Sequence, residues 1–341
     1  MCDEILTFVV LMILLGVLFY KSSFTDNCNY LFGREWSGAL KGVCCIVVIL
    51  VHIPKEYTTR LQNMIGSFAF IAVTVFFLLS GYGLALNRKR KGYLEHFWRN
   101  RLVALLIPMF LVNFVKACIN IVNRIDISIV DTLFGFDGFV LMILICYLVF
   151  YCVSSKNLIK SHYTSWICIL IFGVSIITYL LENSIPFTVW PVPCLGFMYG
   201  VFLAENKDSV VKYLDKCRTL NLKTWILFGL TFLIGGGYIR EKNIPFFGDY
   251  VLRSVLALLM VILMIKILSK FRPNNEAIHI LGDISYEVYL SHGFVINVLK
   301  SVRWQIRPGV FILSAVTITV IVSYILHWFD AKLIRKMRVK I

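Results

Sequence analysis

The chain has 341 residues, of which 59% are hydrophobic and 16% are charged, and its mean hydropathy is +0.81. These values exclude a soluble globular protein and place most of the chain in lipid. The formal net charge is +15, but the lysines and arginines stand mainly in loops between apolar segments, so we expect no nucleic-acid partner. The ten cysteines form no CxxC pair and show no zinc-ligand spacing, which predicts neither a disulfide framework nor a metal.

Apolar segments recur along the chain, and a helix of roughly 20 such residues crosses a bilayer. The pattern predicts an all-α integral membrane protein, a bundle of about 10–11 transmembrane helices. The second segment is weak, because its apolar run from Gly42 to Val51 also suits a re-entrant or buried helix. The predicted spans are residues 5–20, 38–53, 64–86, 102–122, 137–153, 164–181, 186–204, 222–239, 248–268, 279–299 and 309–329.

Basic residues accumulate on one side of these spans. When the N-terminus is placed outside, most lysines and arginines fall on the opposite side, including the run Arg88–Lys91 and the later Arg99 and Arg101. Cytoplasmic loops are enriched in these residues, so this side should be cytoplasmic. We therefore expect a multi-pass protein of the cell membrane with its N-terminus outside and its C-terminus in the cytoplasm.

Lys41 and His52 are polar residues placed at or within an apolar segment, where burial costs free energy. Eleven helical residues make three turns and about 20°, so both side chains would lie on one face, about 17 Å apart. Lys41 has an alternative role as a cation that anchors the helix end at the interface. A histidine inside a membrane span is a functional candidate by default.

Four strings follow one another along the chain. These are Leu40-Lys41-Gly42 leading through an apolar run to His52, FFLLSGY at Phe76–Tyr82, FWRNR at Phe97–Arg101 leading to Pro108, and LGDISYEVYLSH at Leu281–His292. In this order they resemble the R-x10-H, FFxLSG[FY], basic-loop and G-x-x-S-x-x-x-Y-x-x-H segments of the membrane acyltransferase type 3 family. Those proteins are polytopic enzymes that acylate bacterial polysaccharides and related glycans.

The chain departs from the family pattern in three places. Lys41 replaces the usual arginine, which keeps the charge but loses the planar bidentate fork. Ala104 stands near the place of a deeper loop arginine. The span 5–20 is extra to the common ten-helix pattern, so we divide the chain into an N-terminal helix and linker at 1–36, a membrane domain at 37–330 and a basic cytoplasmic tail at 331–341.

The resemblance implies an O-acyltransferase that moves an acyl group, expected to be acetyl, from acyl-CoA to a hydroxyl of an extracytoplasmic carbohydrate or glycan. Such a transfer needs a base for the hydroxyl proton, and a histidine such as His52 suits this role because an unperturbed imidazole exchanges protons near neutral pH. Lys41, Arg99 and Arg101 are expected to bind the donor phosphates. Further residues expected to line a pocket are Ser80, Tyr82, Ser285, Tyr289 and His292.

Several alternatives remain at this point. Positive-inside orientation alone accounts for the run Arg88–Lys91. Ser285, Tyr289 and His292 share one helical stripe, which suits a polar cavity and equally suits hydrogen bonding between helices. The positions of Lys116 and Trp190 in the sequence favour packing or interfacial roles for both residues. A transporter or flippase of lipid-linked saccharides is the second hypothesis, since intramembrane histidines also line substrate pathways. A non-catalytic envelope partner is the third.

Overall fold

The computed structural model describes residues 2–25, 30–122, 128–155, 162–184, 189–216, 221–301 and 306–337. Within these ranges the chain is almost entirely helical. The α-helices are α1 (Cys2–Phe19), α2 (Arg34–Val51), α3 (Arg60–Gly66), α4 (Ala69–Asn87), α5 (Phe97–Val122), α6 (Ile129–Phe134), α7 (Gly138–Ser155), α8 (Tyr163–Leu181), α9 (Leu195–Glu205), α10 (Lys207–Lys216), α11 (Leu222–Glu241), α12 (Arg253–Leu268), α13 (Glu276–Asp283), α14 (Ser285–Ser301) and α15 (Pro308–Met337).

Short elements complete the described structure, among them two 3-10 helices, Lys55–Tyr57 and Glu182–Ser184. A π-helical segment, Phe247–Leu252, runs directly into α12. Strand β1 (Ser23–Phe24) pairs antiparallel with β2 (Phe271–Arg272), which ties the segment after α1 to the segment after α12. The fold is therefore all-α with one short ribbon, which confirms the predicted fold class.

Seven helical stretches in the described ranges are long and apolar enough to cross a membrane. They are Arg60–Asn87, Phe97–Val122, Thr132–Ser155, Tyr163–Ser184, Leu222–Glu241, Phe247–Leu268 and Pro308–Met337. Their number and composition agree with a multi-pass membrane protein.

The other four predicted spans correspond to shorter or more charged helices. α2 carries the three charged residues Arg34, Glu35 and Lys41, and α9 has only 11 residues. The span 279–299 is divided at Ile284, where α13 ends and α14 begins. The predicted span 186–204 starts at residues that lie outside the described ranges, and α1 opens with two acidic residues in its first turn.

Glycines in two of the family-like strings allow helices to pack closely. A Cβ atom on Gly81 of α4 would strike the carbonyl of Phe197 in α9, and one on Gly42 of α2 would strike the carbonyl of Ile278 in α13. Small residues let helix backbones approach each other in membranes, where lipid supplies little hydrophobic driving force. These contacts fix α4 against α9 and α2 against α13, and so position the helices that carry the polar residues described below.

Candidate functional site

Two histidines meet where the end of α2 approaches the middle of α14. The sequence predicts His52 inside the span 38–53, but α2 ends at Val51. His52 follows directly, with φ −92° and ψ 3°, and is the C-terminal cap of α2. Its ring centroid lies 4.4 Å from that of His292, with the rings inclined by 64°. His292 is buried, whereas His52 is exposed to a large internal cavity.

Hydrogen bonds determine which nitrogen of each imidazole carries the proton. Nδ1 of His52 lies 2.8 Å from the carbonyl oxygen of Val48, and Nδ1 of His292 lies 3.1 Å from that of Val288. Because a carbonyl oxygen only accepts, Nδ1 must donate in both residues. In the neutral ring this leaves Nε2 as the unprotonated nitrogen, and Nε2 of His52 is therefore able to accept a proton.

The histidine cavity, as we name the space lined by His52 and His292, has a volume of about 1340 Å³. This volume is large enough for a sugar-sized ligand. Polar and aromatic residues from several helices surround it: Lys116, Asn120, Asp137, Trp190, Tyr238, Arg253, Tyr289 and Asn297. The mixture of cations, amides and aromatic faces is typical of a binding site for a polar molecule, and not of an apolar packing defect.

Two smaller cavities continue from the histidine cavity along the bundle. The middle cavity, of about 190 Å³, is lined by Lys41, Ser80, Ser285, Tyr286 and Tyr289. The arginine cavity, of about 260 Å³, is lined by Asn87, Arg101 and Tyr147, together with the same Lys41 and Ser80. Because neighbouring cavities share lining residues, the three lie in series from Arg101 to the two histidines.

Tyr289 stands where the histidine cavity and the middle cavity meet. Its hydroxyl donates to Oδ1 of Asp137 at 2.7 Å, and the same oxygen accepts the backbone N–H of Phe139 at 2.8 Å in the first turn of α7. The Tyr289 ring also contacts Phe139, with 4.7 Å between ring centroids, and His292, with 5.9 Å. These contacts hold the phenol at a fixed place between the two spaces.

The two arginines predicted to bind the donor have different surroundings. Arg101 lines the arginine cavity and donates from Nη2 to the hydroxyl of Tyr93 at 3.0 Å, while its buried Nε has no hydrogen-bond partner among the described residues. Burial raises the pKa of Tyr93, so the phenol remains neutral beside the guanidinium. Arg99 is exposed, donates to the carbonyl of Met337 at 3.1 Å and lies outside the three cavities.

The residues predicted to line a pocket divide in a similar way. Ser80 and Ser285 line the middle cavity, and Tyr289 and His292 line the histidine cavity. Tyr82 is buried, donates to the carbonyl of Phe32 at 3.0 Å and lines none of the three. The predicted stripe on α14 therefore faces cavities, while Tyr82 packs within the core.

Sequence reasoning missed or undervalued several cavity residues. Lys116 and Trp190 line the histidine cavity, although their positions in sequence favour interfacial roles. Arg253 also lines this cavity, with its guanidinium 4.8 Å from the ring centroid of Phe70. The signal in the sequence is a positive charge at the start of an apolar segment. A basic residue in that position is equally expected to anchor the end of a helix at the membrane interface.

The architecture is that of a multi-pass membrane protein with three neighbouring cavities, one of which is lined by a pair of histidines. Residues 34–328 match the model of the acyltransferase type 3 family, described as an acyltransferase domain. Since this match covers most of the chain, the protein belongs to that family. The matched range begins with α2 and leaves α1 outside.

A curated relative points to the same class. A stretch of 87 residues, 26% of this chain, is 34% identical to "Acyltransferase MdmB" of Streptomyces mycarofaciens. The stretch covers 22% of that relative, so this similarity spans about a fifth of its length. No solved structure matches the chain.

Proposed function

We propose that this acyltransferase moves an acetyl group from acetyl-CoA to a hydroxyl of an extracytoplasmic carbohydrate or glycan. The observation that carries the proposal is the series of three cavities, which leads from a cationic space at Arg101 to the imidazole of His52. A donor and an acceptor that enter from opposite sides of the membrane could meet where these neighbouring cavities approach each other. Succinyl-CoA is the alternative donor.

The donor is assigned to the Arg101 end because coenzyme A carries phosphates. Lys41 and Arg101 both line the arginine cavity and supply positive charge there. Arginine pairs with phosphate through several N–H groups, whereas lysine acts as a point charge. The distribution of basic residues along the chain assigns this end to the cytoplasm, where coenzyme A thioesters are available. The N-terminus is then outside and the C-terminus inside.

The acceptor is assigned to the histidine cavity because of that cavity's size and lining. Trp190 offers an aromatic face, and Asn120 and Asn297 offer amide donors and acceptors, which together suit a carbohydrate. Lys116 and Arg253 add positive charge in the same space. A sugar bound there would hold a hydroxyl near His52.

The chemistry assigned to His52 follows from its tautomer. Nε2 accepts the proton of the acceptor hydroxyl while the hydroxyl oxygen forms a bond to the thioester carbonyl carbon. The carbon–sulfur bond then breaks, and the departing sulfur takes the proton back from the imidazolium. The products are an acetyl ester and free coenzyme A, and His52 returns to its neutral form. His292 and Tyr289 position the base and do not exchange atoms with the substrates.

Purified protein in detergent, given radiolabelled acetyl-CoA and a mixture of glycan acceptors, tests this function. We expect label to appear in the glycan fraction and free coenzyme A to form in equal amount. Saccharide binding without consumption of acetyl-CoA or succinyl-CoA would contradict the proposal and favour the saccharide transporter. Protein denatured beforehand by heat provides the blank.

A further inference from the structure

Three residues of metal-ligand type meet between α14 and α15, and none of them lines the three cavities. Glu287 lies on α14, and His327 and Asp330 lie on α15. Nδ1 of His327 is 2.9 Å from Oε1 of Glu287 and 3.8 Å from Oδ1 of Asp330. One ligand atom from each residue lies within 4.8 Å of the other two.

The carboxylates of this cluster are buried and incompletely paired. Glu287 is 4% exposed and Asp330 is 0% exposed. Oε2 of Glu287 and both carboxylate oxygens of Asp330 have no hydrogen-bond partner among the described residues. Among the residues that the structure describes, no lysine or arginine forms an ion pair with Glu287 or Asp330. Buried carboxylates are costly without partners, and His327 is the one basic side chain among the described residues within 4 Å of these acids, so a further positive charge would stabilise the cluster.

We propose that Glu287, His327 and Asp330 bind one divalent first-row metal ion. Carboxylate oxygen and imidazole nitrogen are ligands that manganese and zinc both accept. A dication would satisfy all three orphaned oxygens and neutralise both carboxylates, which a single imidazolium cannot do. The sequence gives no sign of the site, because Glu287 and His327 are 40 residues apart on separate helices.

The metal site would fix the position of α14 against α15. Glu287 precedes Tyr289 by two residues and His292 by five on the same helix. An ion that joins Glu287 to α15 therefore limits sliding of the helix that carries the histidine pair. This role concerns the stability of the bundle and does not depend on which acyl group or acceptor the protein uses.

Manganese binding to the full-length protein tests the proposal. The protein is purified in detergent with a tag that binds no metal, treated with chelator and dialysed, then titrated with Mn²⁺ and followed by electron paramagnetic resonance. We expect one bound ion per chain and a higher thermal unfolding midpoint with Mn²⁺ than with chelator. This comparison needs no variant.

Variants locate the ion. Asp330→Asn and Glu287→Gln should each weaken Mn²⁺ binding by about tenfold or more, while Glu276→Gln, which removes an exposed carboxylate on α13, should leave it unchanged. Absence of bound Mn²⁺, or binding that both cluster variants leave intact, would overturn the proposal. An unfolding midpoint that ignores Mn²⁺ but rises in Asp330→Asn would show that the two acids share a proton instead.

Discussion

The imidazole rings of His52 and His292 lie 4.4 Å apart, although 240 residues separate them in the chain. One ring caps the end of α2 and the other lies in α14, so both family-like strings that contain a histidine contribute to a single site. Both rings donate from Nδ1 to a carbonyl four residues earlier, which leaves each Nε2 free to accept. The pair provides a proton acceptor at the end of the polar cavities.

Replacing Arg101 with alanine should weaken donor binding by about tenfold or more, because a charged hydrogen bond in a buried setting is lost. The matched control is Arg99→Ala, two positions earlier on the same helix, whose guanidinium lies outside the three cavities. The measurement is the dissociation constant of acetyl-CoA for each purified protein. Equal affinities in the two variants would remove Arg101 from the donor site and return Arg99 to consideration.

Lys41 lines both the middle cavity and the arginine cavity. We expect its positive charge, and not a particular hydrogen-bond geometry, to hold the donor. Lys41→Ala should raise the KM for the donor, and Lys41→Arg should preserve activity since it retains the cation. Steady-state kinetics with varied acetyl-CoA report the difference. If Lys41→Ala has normal donor kinetics, the residue is an interfacial anchor only.

The close contact of α4 and α9 predicts a difference between two neighbouring glycines. A Cβ on Gly81 meets the backbone of Phe197, whereas one on Gly83 meets no atom within 4 Å. Gly81→Ala should therefore destabilise the protein by about 1–3 kcal/mol, while Gly83→Ala should not. Thermal unfolding in detergent compares the two, and equal midpoints would contradict the packing described for α4.

The orientation of the chain predicts which loops an impermeant thiol reagent reaches in intact cells. Single cysteines at Lys55 and Lys91, both exposed, are introduced into a chain in which the native cysteines have been replaced. Lys55→Cys should react from outside, and Lys91→Cys should react only after the cells are opened. The reverse pattern would place the arginine cavity outside and exclude cytoplasmic entry of the donor.

The sequence predicts the helical class and the stripe on α14 because both depend on local periodicity. Ser285, Tyr289 and His292 fall on one helical face by spacing alone, and the structure places all three beside cavities. Hydropathy alone does not reveal that α13 and α14 are separate helices, because polar residues such as Asp283 and Ser285 beside the break at Ile284 also occur within continuous helices.

Residues brought together by tertiary packing are not visible in the same way. Asp137, which directly precedes α7, and Arg253, the first residue of α12, both line the histidine cavity, and no local pattern connects either to His52. Tyr82 shows the opposite case. It belongs to a recognisable string, but its hydroxyl donates to the carbonyl oxygen of Phe32 within the core. A motif therefore identifies the region of a site more reliably than it identifies each residue that faces the substrate.

The most direct test of the central claim is acetyl transfer by a His52→Ala protein. Loss of the base should lower the transfer rate by about 10²–10⁴-fold, while acetyl-CoA binding and the thermal unfolding midpoint stay close to those of the unaltered protein, because the base acts in the transition state. Radiolabelled acetyl-CoA, a glycan acceptor and purified protein suffice for the measurement. Normal glycan acetylation by a folded His52→Ala protein would contradict the mechanism.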